Sequence, residues 1–79
     1  MELLDTIEMM KSDDYKERFK AEYYQLKIRL DKLNAFISKG ICPESVPEAS
    51  HLMLKQQAII MEAYLKSLDE RARLENIKV

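Results

Sequence analysis

Residues 14–38 read DYKERFKAEYYQLKIRLDKLNAFIS. Within them Phe19, Tyr23, Leu26, Leu30, Leu33 and Ile37 step by four, three, four, three and four. That spacing returns side chains to one side of an α-helix and makes a heptad seam. The helix it predicts runs from about Asp14 to Ser38, about 25 residues or about 37 Å at 1.5 Å per residue. Asp14 with Glu17 three residues on resembles a capping box at its start. Lys39 and Gly40 supply a cation and a left-handed cap at its end.

Toward the C-terminus, residues 41–50, ICPESVPEAS, hold both prolines of the chain and read as a loop, with the break spanning 40–50. Ser45 with Glu48, or Ser50 a few residues later, offers a cap for the next helix, and Pro47 is tolerable only in that helix's first turn. From about 50 to 76, Leu54, Ala58, Met61, Leu65, Leu68 and Ala72 repeat the four-three stepping. Two matched seams joined by a proline-containing loop predict an antiparallel hairpin, left-handed with a crossing angle of about 20°. Ala58 and Ala72 let the backbones approach. Toward the N-terminus, Leu3, Leu4, Ile7 and Met10 predict a short amphipathic helix over about 2–11, which Ser12, Asp13 and Asp14 interrupt. The fold class is therefore all-α: one helical domain over 1–79, an antiparallel hairpin preceded by a short helix.

Such a chain is thin. At 79 residues, a folded chain buries only about 60% of its unfolded surface. Tyr24, Ile28 and Phe36 on the first long helix, and Leu52, Ile59, Ile60 and Tyr64 on the second, lie off the seams. They widen the apolar face beyond what one partner helix covers, and a two-helix hairpin has no second layer. The expectation is a homo-oligomer in which other copies cover the surplus.

Thirteen basic and 14 acidic side chains leave a formal charge of −1, too balanced for the polyelectrolyte attraction that drives binding along DNA or RNA. A small anionic ligand needs only a local cluster of Arg or Lys. The single Cys42 has no internal disulfide partner, and no cysteine pair at zinc spacing exists, which fits a reducing cytosol. The acidic, interrupted start is unlike a secretion signal, and no stretch is long and apolar enough to span a bilayer.

The inventory for catalysis is poor. His51, the only histidine, sits near a helix start and reads as a solvated helix-end residue rather than a metal ligand. Cys42 has no nearby base in sequence and reads as an incidental thiol. Asp13 with Asp14, and Asp69 with Glu70, are sequence neighbours that point about 100° apart on a helix and make no paired-carboxylate site. One glycine allows no Gly-rich phosphate loop. The expectation is a protein that is not an enzyme and takes neither metal nor cofactor.

What remains is a polar stripe beside the seam, in which Arg18, Glu22, Gln25, Arg29 and Lys32 fall within about 80° of one another. It reads either as the ion-pairing flank of a coiled coil or as an anion site, with Arg forks for phosphate and Tyr rings for a base. Arg18 and Lys32 stand 14 residues apart, about 21 Å along a rigid helix. If both hold one compact ligand, they come from different chains, and binding then requires oligomerisation.

Tyr15, Arg18, Glu22, Leu26, Lys32-Leu33 and Phe36-Ile37, followed after the loop by Gln57, Met61, Tyr64, Leu68 and Arg71, form a pattern over about residues 15 to 71. It is similar to the helical-hairpin domain of phage anti-CBASS proteins, a group related to the Thoeris anti-defence proteins. The resemblance implies a sponge that sequesters cyclic di- or trinucleotide immune signals in the cytoplasm of an infected bacterium, as a compact homohexamer and without catalysis. Its pockets lie between protomers. Carried over by position, Tyr15 is a base-stacking candidate, Lys32 a phosphate partner, and Arg18 and Arg71 candidates for a pocket where several chains converge. Tyr15 and Tyr64 also suit packing at the seam edge, and Arg71 suits a helix C-terminus. The other function class is a helical module that inhibits a bacterial protein by laying an apolar face into its groove.

Overall fold

A computed structural model describes residues 1–40 and 47–79. The chain opens with a 3₁₀ turn, Leu3–Thr6, that runs into α1 (Ile7–Met10). Two long helices follow, α2 (Tyr15–Ser38) and α3 (Glu48–Leu74). The described residues are all-helical.

α2 and α3 pack antiparallel. Near the start of α2 the Tyr23 hydroxyl donates to Asp69, near the end of α3, at 2.7 Å. Near the end of α2 the Phe36 ring lies 6.0 Å from that of His51, in the first turns of α3. The heptad residues meet between the helices as their spacing predicts: Phe19, Tyr23, Leu26 and Leu30 are buried from α2, and Ala58, Leu68 and Ala72 from α3. The densest part joins Phe19, Tyr23, Leu26, Leu68, Ala72 and Ile77, with Tyr24, Met61 and Leu65 against it. This core lies where the N-terminal half of α2 meets the C-terminal end of α3.

The ends of the helices have identifiable causes. The Asp14 side chain accepts from the Lys16 N–H at 2.9 Å and caps α2. The expected box with Glu17 does not form, because Ser12 Oγ takes the Asp14 N–H at 3.1 Å and Glu17 turns to Lys20. Gly40 closes α2 in the left-handed region at φ 67°. α3 begins at Glu48, inside the stretch read as loop. Pro47 needs no N–H there, and its carbonyl accepts from the His51 N–H at 3.0 Å to open the helix. Ser50 is thus inside the helix and does not cap it, while Cys42 and Ser45 lie outside the described residues. At the other end, Asn76 at φ 56° turns the chain so that the Ile77 N–H reaches the Ala72 carbonyl at 2.8 Å. Ile77 is thereby seated in the core.

The N-terminal segment packs on α2 differently from its apolar pattern. Leu4 is 77% exposed, Ile7 and Met10 are only partly covered, with the Met10 sulfur accepting from Gln25 Nε2, and Thr6 is fully buried. The 3₁₀ start has three residues per turn, so Leu3 and Thr6 stack along the side that meets α2. Thr6 is satisfied there, donating to the Leu3 carbonyl at 2.7 Å and accepting from Gln25 Nε2 at 2.9 Å. Gln25 is therefore under the segment, and the polar stripe of α2 is not one continuous solvated face. His51 likewise departs from a solvated residue: it is half-buried beside Phe36, and its Nδ1 has no hydrogen-bond partner among the described residues.

The outcome is a single layer, 44 × 24 × 16 Å. Its radius of gyration of 14.9 Å exceeds the roughly 11.6 Å of a compact domain of this length. It exposes 5841 Å², against about 5000 Å² for a typical folded monomer of its mass. The exposed surface of α3 carries Leu52, Ile59 and Ile60, with Ile59 70% and Ile60 68% exposed.

Candidate functional site

The antiparallel pairing sets the first turns of α2 beside the last turns of α3. Tyr15, first residue of α2, Arg18 one turn later and Arg71 in the last turn of α3 line one shallow concavity of about 190 Å³, together with Phe19 and Glu22. Three of the four residues singled out from the sequence are thus brought together from opposite ends of the chain. Lys32 is not among them. It is exposed in the other half of α2, about 21 Å of helix away from Arg18.

Each cation is already held. Arg18 donates from a terminal guanidinium nitrogen to the Ser12 carbonyl at 2.8 Å, just before the helix begins. Arg71 lies with its guanidinium carbon 4.8 Å from the centroid of the buried Phe19 ring, a cation–π arrangement. Its Nε donates to Glu75 Oε2 at 2.9 Å, and a terminal nitrogen to Oε1 at 3.4 Å. That Arg71 bond is the main reason the Glu75 carboxyl sits below the usual carboxylate range, with the Tyr15 hydroxyl and Lys16 adding to it. Arg71 in turn holds its proton more tightly, first through Glu75 and to a lesser degree through Glu22. The Tyr64 hydroxyl is pushed above its ordinary range, first by desolvation and then by Glu22.

The concavity is therefore lined by two guanidiniums, the Glu22 carboxylate and the rings of Tyr15 and Phe19, with Glu75 bonded to Arg71 and Tyr64 next to Glu22 at its edge. Tyr15 and Tyr64 are about half exposed, so their faces are open to a planar partner. The start of α2 adds the positive end of a helix dipole. Such a cluster can bind an anion attached to a flat ring. Two of its members escaped the sequence reading. The heptad spacing marks Phe19 only as a seam residue, and the one sign of Glu75 is its position four residues after Arg71, an ion-pair spacing.

A larger concavity, about 410 Å³, is lined by Asn34, Ala58, Ile59, Glu62, Ala63 and Lys66. Its lining has no aromatic ring and one cation, Lys66, with one acid, Glu62, so it suits an anionic ring compound less well than the smaller site. Among the described residues, no group of three or more His, Cys, Asp or Glu is placed to hold a metal. No described helix is long and apolar enough to cross a membrane.

Residues 13–74 match the model of a family described as Sequestin. The matched span takes in α2 and α3 and leaves out the N-terminal segment. No curated protein and no solved structure matches the chain.

Proposed function

Because this chain belongs to the Sequestin family, we propose that it is a phage anti-defence protein that binds and sequesters cyclic di- or trinucleotide immune signals without cleaving them. The family's name points to sequestration of a ligand, in keeping with the resemblance carried by Tyr15 to Arg71. The observation that carries the reading is the convergence of Tyr15, Arg18 and Arg71 on one concavity, with ring faces for a base and guanidinium forks for a phosphate. A sponge needs affinity and copy number rather than a tuned acid, base or metal, and it lowers the free signal by mass action alone.

The reading includes a homo-oligomer, with a hexamer favoured, in the cytoplasm of the infected host. A monomer's concavity of about 190 Å³ is smaller than the roughly 300–1,000 Å³ of ordinary ligand pockets. A second copy supplies the missing walls, and Lys32 enters the site from that copy. The apolar outer side of α3 is the surface on which copies meet. The same exposed Leu52, Ile59 and Ile60 favour one other reading, a helical module that docks on a bacterial protein. A mass measurement separates them, since a docking module is monomeric or dimeric when alone.

Calorimetry with a panel of cyclic di- and trinucleotides on wild type, Lys32→Ala and Arg71→Ala tests the proposal. Both substitutions are expected to weaken binding and leave the oligomer intact, because neither residue occupies a seam. Unchanged affinity in both removes these assignments, and wild type that binds no member of the panel removes the sponge.

A further inference from the structure

We propose that Glu75 is a built-in competitor for the anion site, a carboxylate that fills the Arg71 fork and must leave it before a ligand phosphate can enter. This rests on the sponge reading above and adds to it the residue that sets the affinity of capture. Glu75 lies one residue beyond the span that matches the family model.

The two bonds from the Arg71 fork to the two oxygens of Glu75 have the paired geometry by which a guanidinium grips a phosphate. Helix stability does not account for the pairing. An acid at the C-terminal end of a helix opposes the dipole, and a cation followed four residues later by an acid is the poorer order for an exposed pair. The backbone nevertheless fixes Glu75 firmly. Its N–H donates to the Arg71 carbonyl at 2.8 Å, and the left-handed Asn76 and buried Ile77 close the turn behind it. The carboxylate is thus aimed at the site by an anchored main chain, while its own bonds are free to rotate it away. Other charges in the neighbourhood differ in kind. Arg18 is held by a neutral carbonyl, Glu22 lines the concavity and bonds no guanidinium among the described residues, and Glu70 pairs with Arg73, which, unlike Arg71, does not line the concavity.

The test compares the full chain, as the assembly it forms, with Glu75→Gln, Glu70→Gln, Arg71→Ala and the Glu75→Gln/Arg71→Ala pair. The probes are cyclic di-AMP, cyclic di-GMP and cyclic tri-AMP, with helicity checked throughout. Glu75→Gln is expected to bind roughly fivefold more tightly, the worth of one exposed ion pair. Glu70→Gln removes the same charge elsewhere and is expected to bind as wild type does. In the Arg71→Ala background, Glu75→Gln is expected to change nothing. Equal gains from Glu75→Gln and Glu70→Gln, or no gain from Glu75→Gln in a wild type that binds, overturn the competitor alone. No binding by any chain overturns the sponge reading and the competitor with it.

Discussion

Ile59→Ala probes the surface by which copies of the chain meet. The substitution removes three carbons, each worth about 0.8 kcal/mol on burial. With 70% of Ile59 open to solvent, about 1.7 kcal/mol is at stake per chain. A two-fold contact uses the residue twice, so about 3.4 kcal/mol is lost, or about 300-fold in the dissociation constant. Ile59 is no part of the buried cluster, so the hairpin's own core is untouched. Sedimentation velocity over a dilution series is therefore expected to show dissociation at much higher concentration than wild type, with the helical signal of the concentrated protein unchanged. Identical mass profiles for wild type and mutant would refute the assignment of this face.

Leu30→Asp is expected to unfold or dissociate the protein. Leu30 is 2% exposed, and an unpaired buried carboxylate costs several kcal/mol against a total of about 4–12 kcal/mol for this length; full helicity and mass in the mutant would count against the hairpin. Tyr23 predicts an alkaline limit. Its hydroxyl pKa is pushed up to about 12 by donating to Asp69, with burial adding to the effect, whereas an unfolded tyrosine ionises near 10. That stabilisation is fully present below about pH 10 and is lost as pH rises through about 12, so denaturation midpoints should fall more steeply there for wild type than for Tyr23→Phe. Asp14→Ala, which removes the cap of α2, is expected to cost about 1 kcal/mol in equilibrium denaturation.

The long helices were legible because Phe19 to Ile37 and Leu54 to Ala72 keep a strict period, and the residues at that period are the ones that meet. The N-terminal segment was less legible. Its apolar residues fit an α-helix, but a 3₁₀ start stacks every third residue and puts Thr6 inside, with Leu4 left in solvent. A buried threonine satisfied by Leu3 and Gln25 depends on a partner 19 residues away, which no local pattern announces. At the site, antiparallel pairing was enough to bring Tyr15 and Arg18 to Arg71 once the hairpin was granted. The grip of Glu75 on Arg71 was hidden because it depends on how the chain turns at Asn76 after α3 ends. Lys32 remains apart in one chain, as the 14-residue separation from Arg18 required.

Native mass spectrometry of the chain purified from cells making cyclic oligonucleotides tests the central claim most directly, because subunit number and retained ligand are read together. A single symmetric oligomer carrying nucleotide in whole-number ratio is the predicted result. A well-folded lone chain without nucleotide would contradict it.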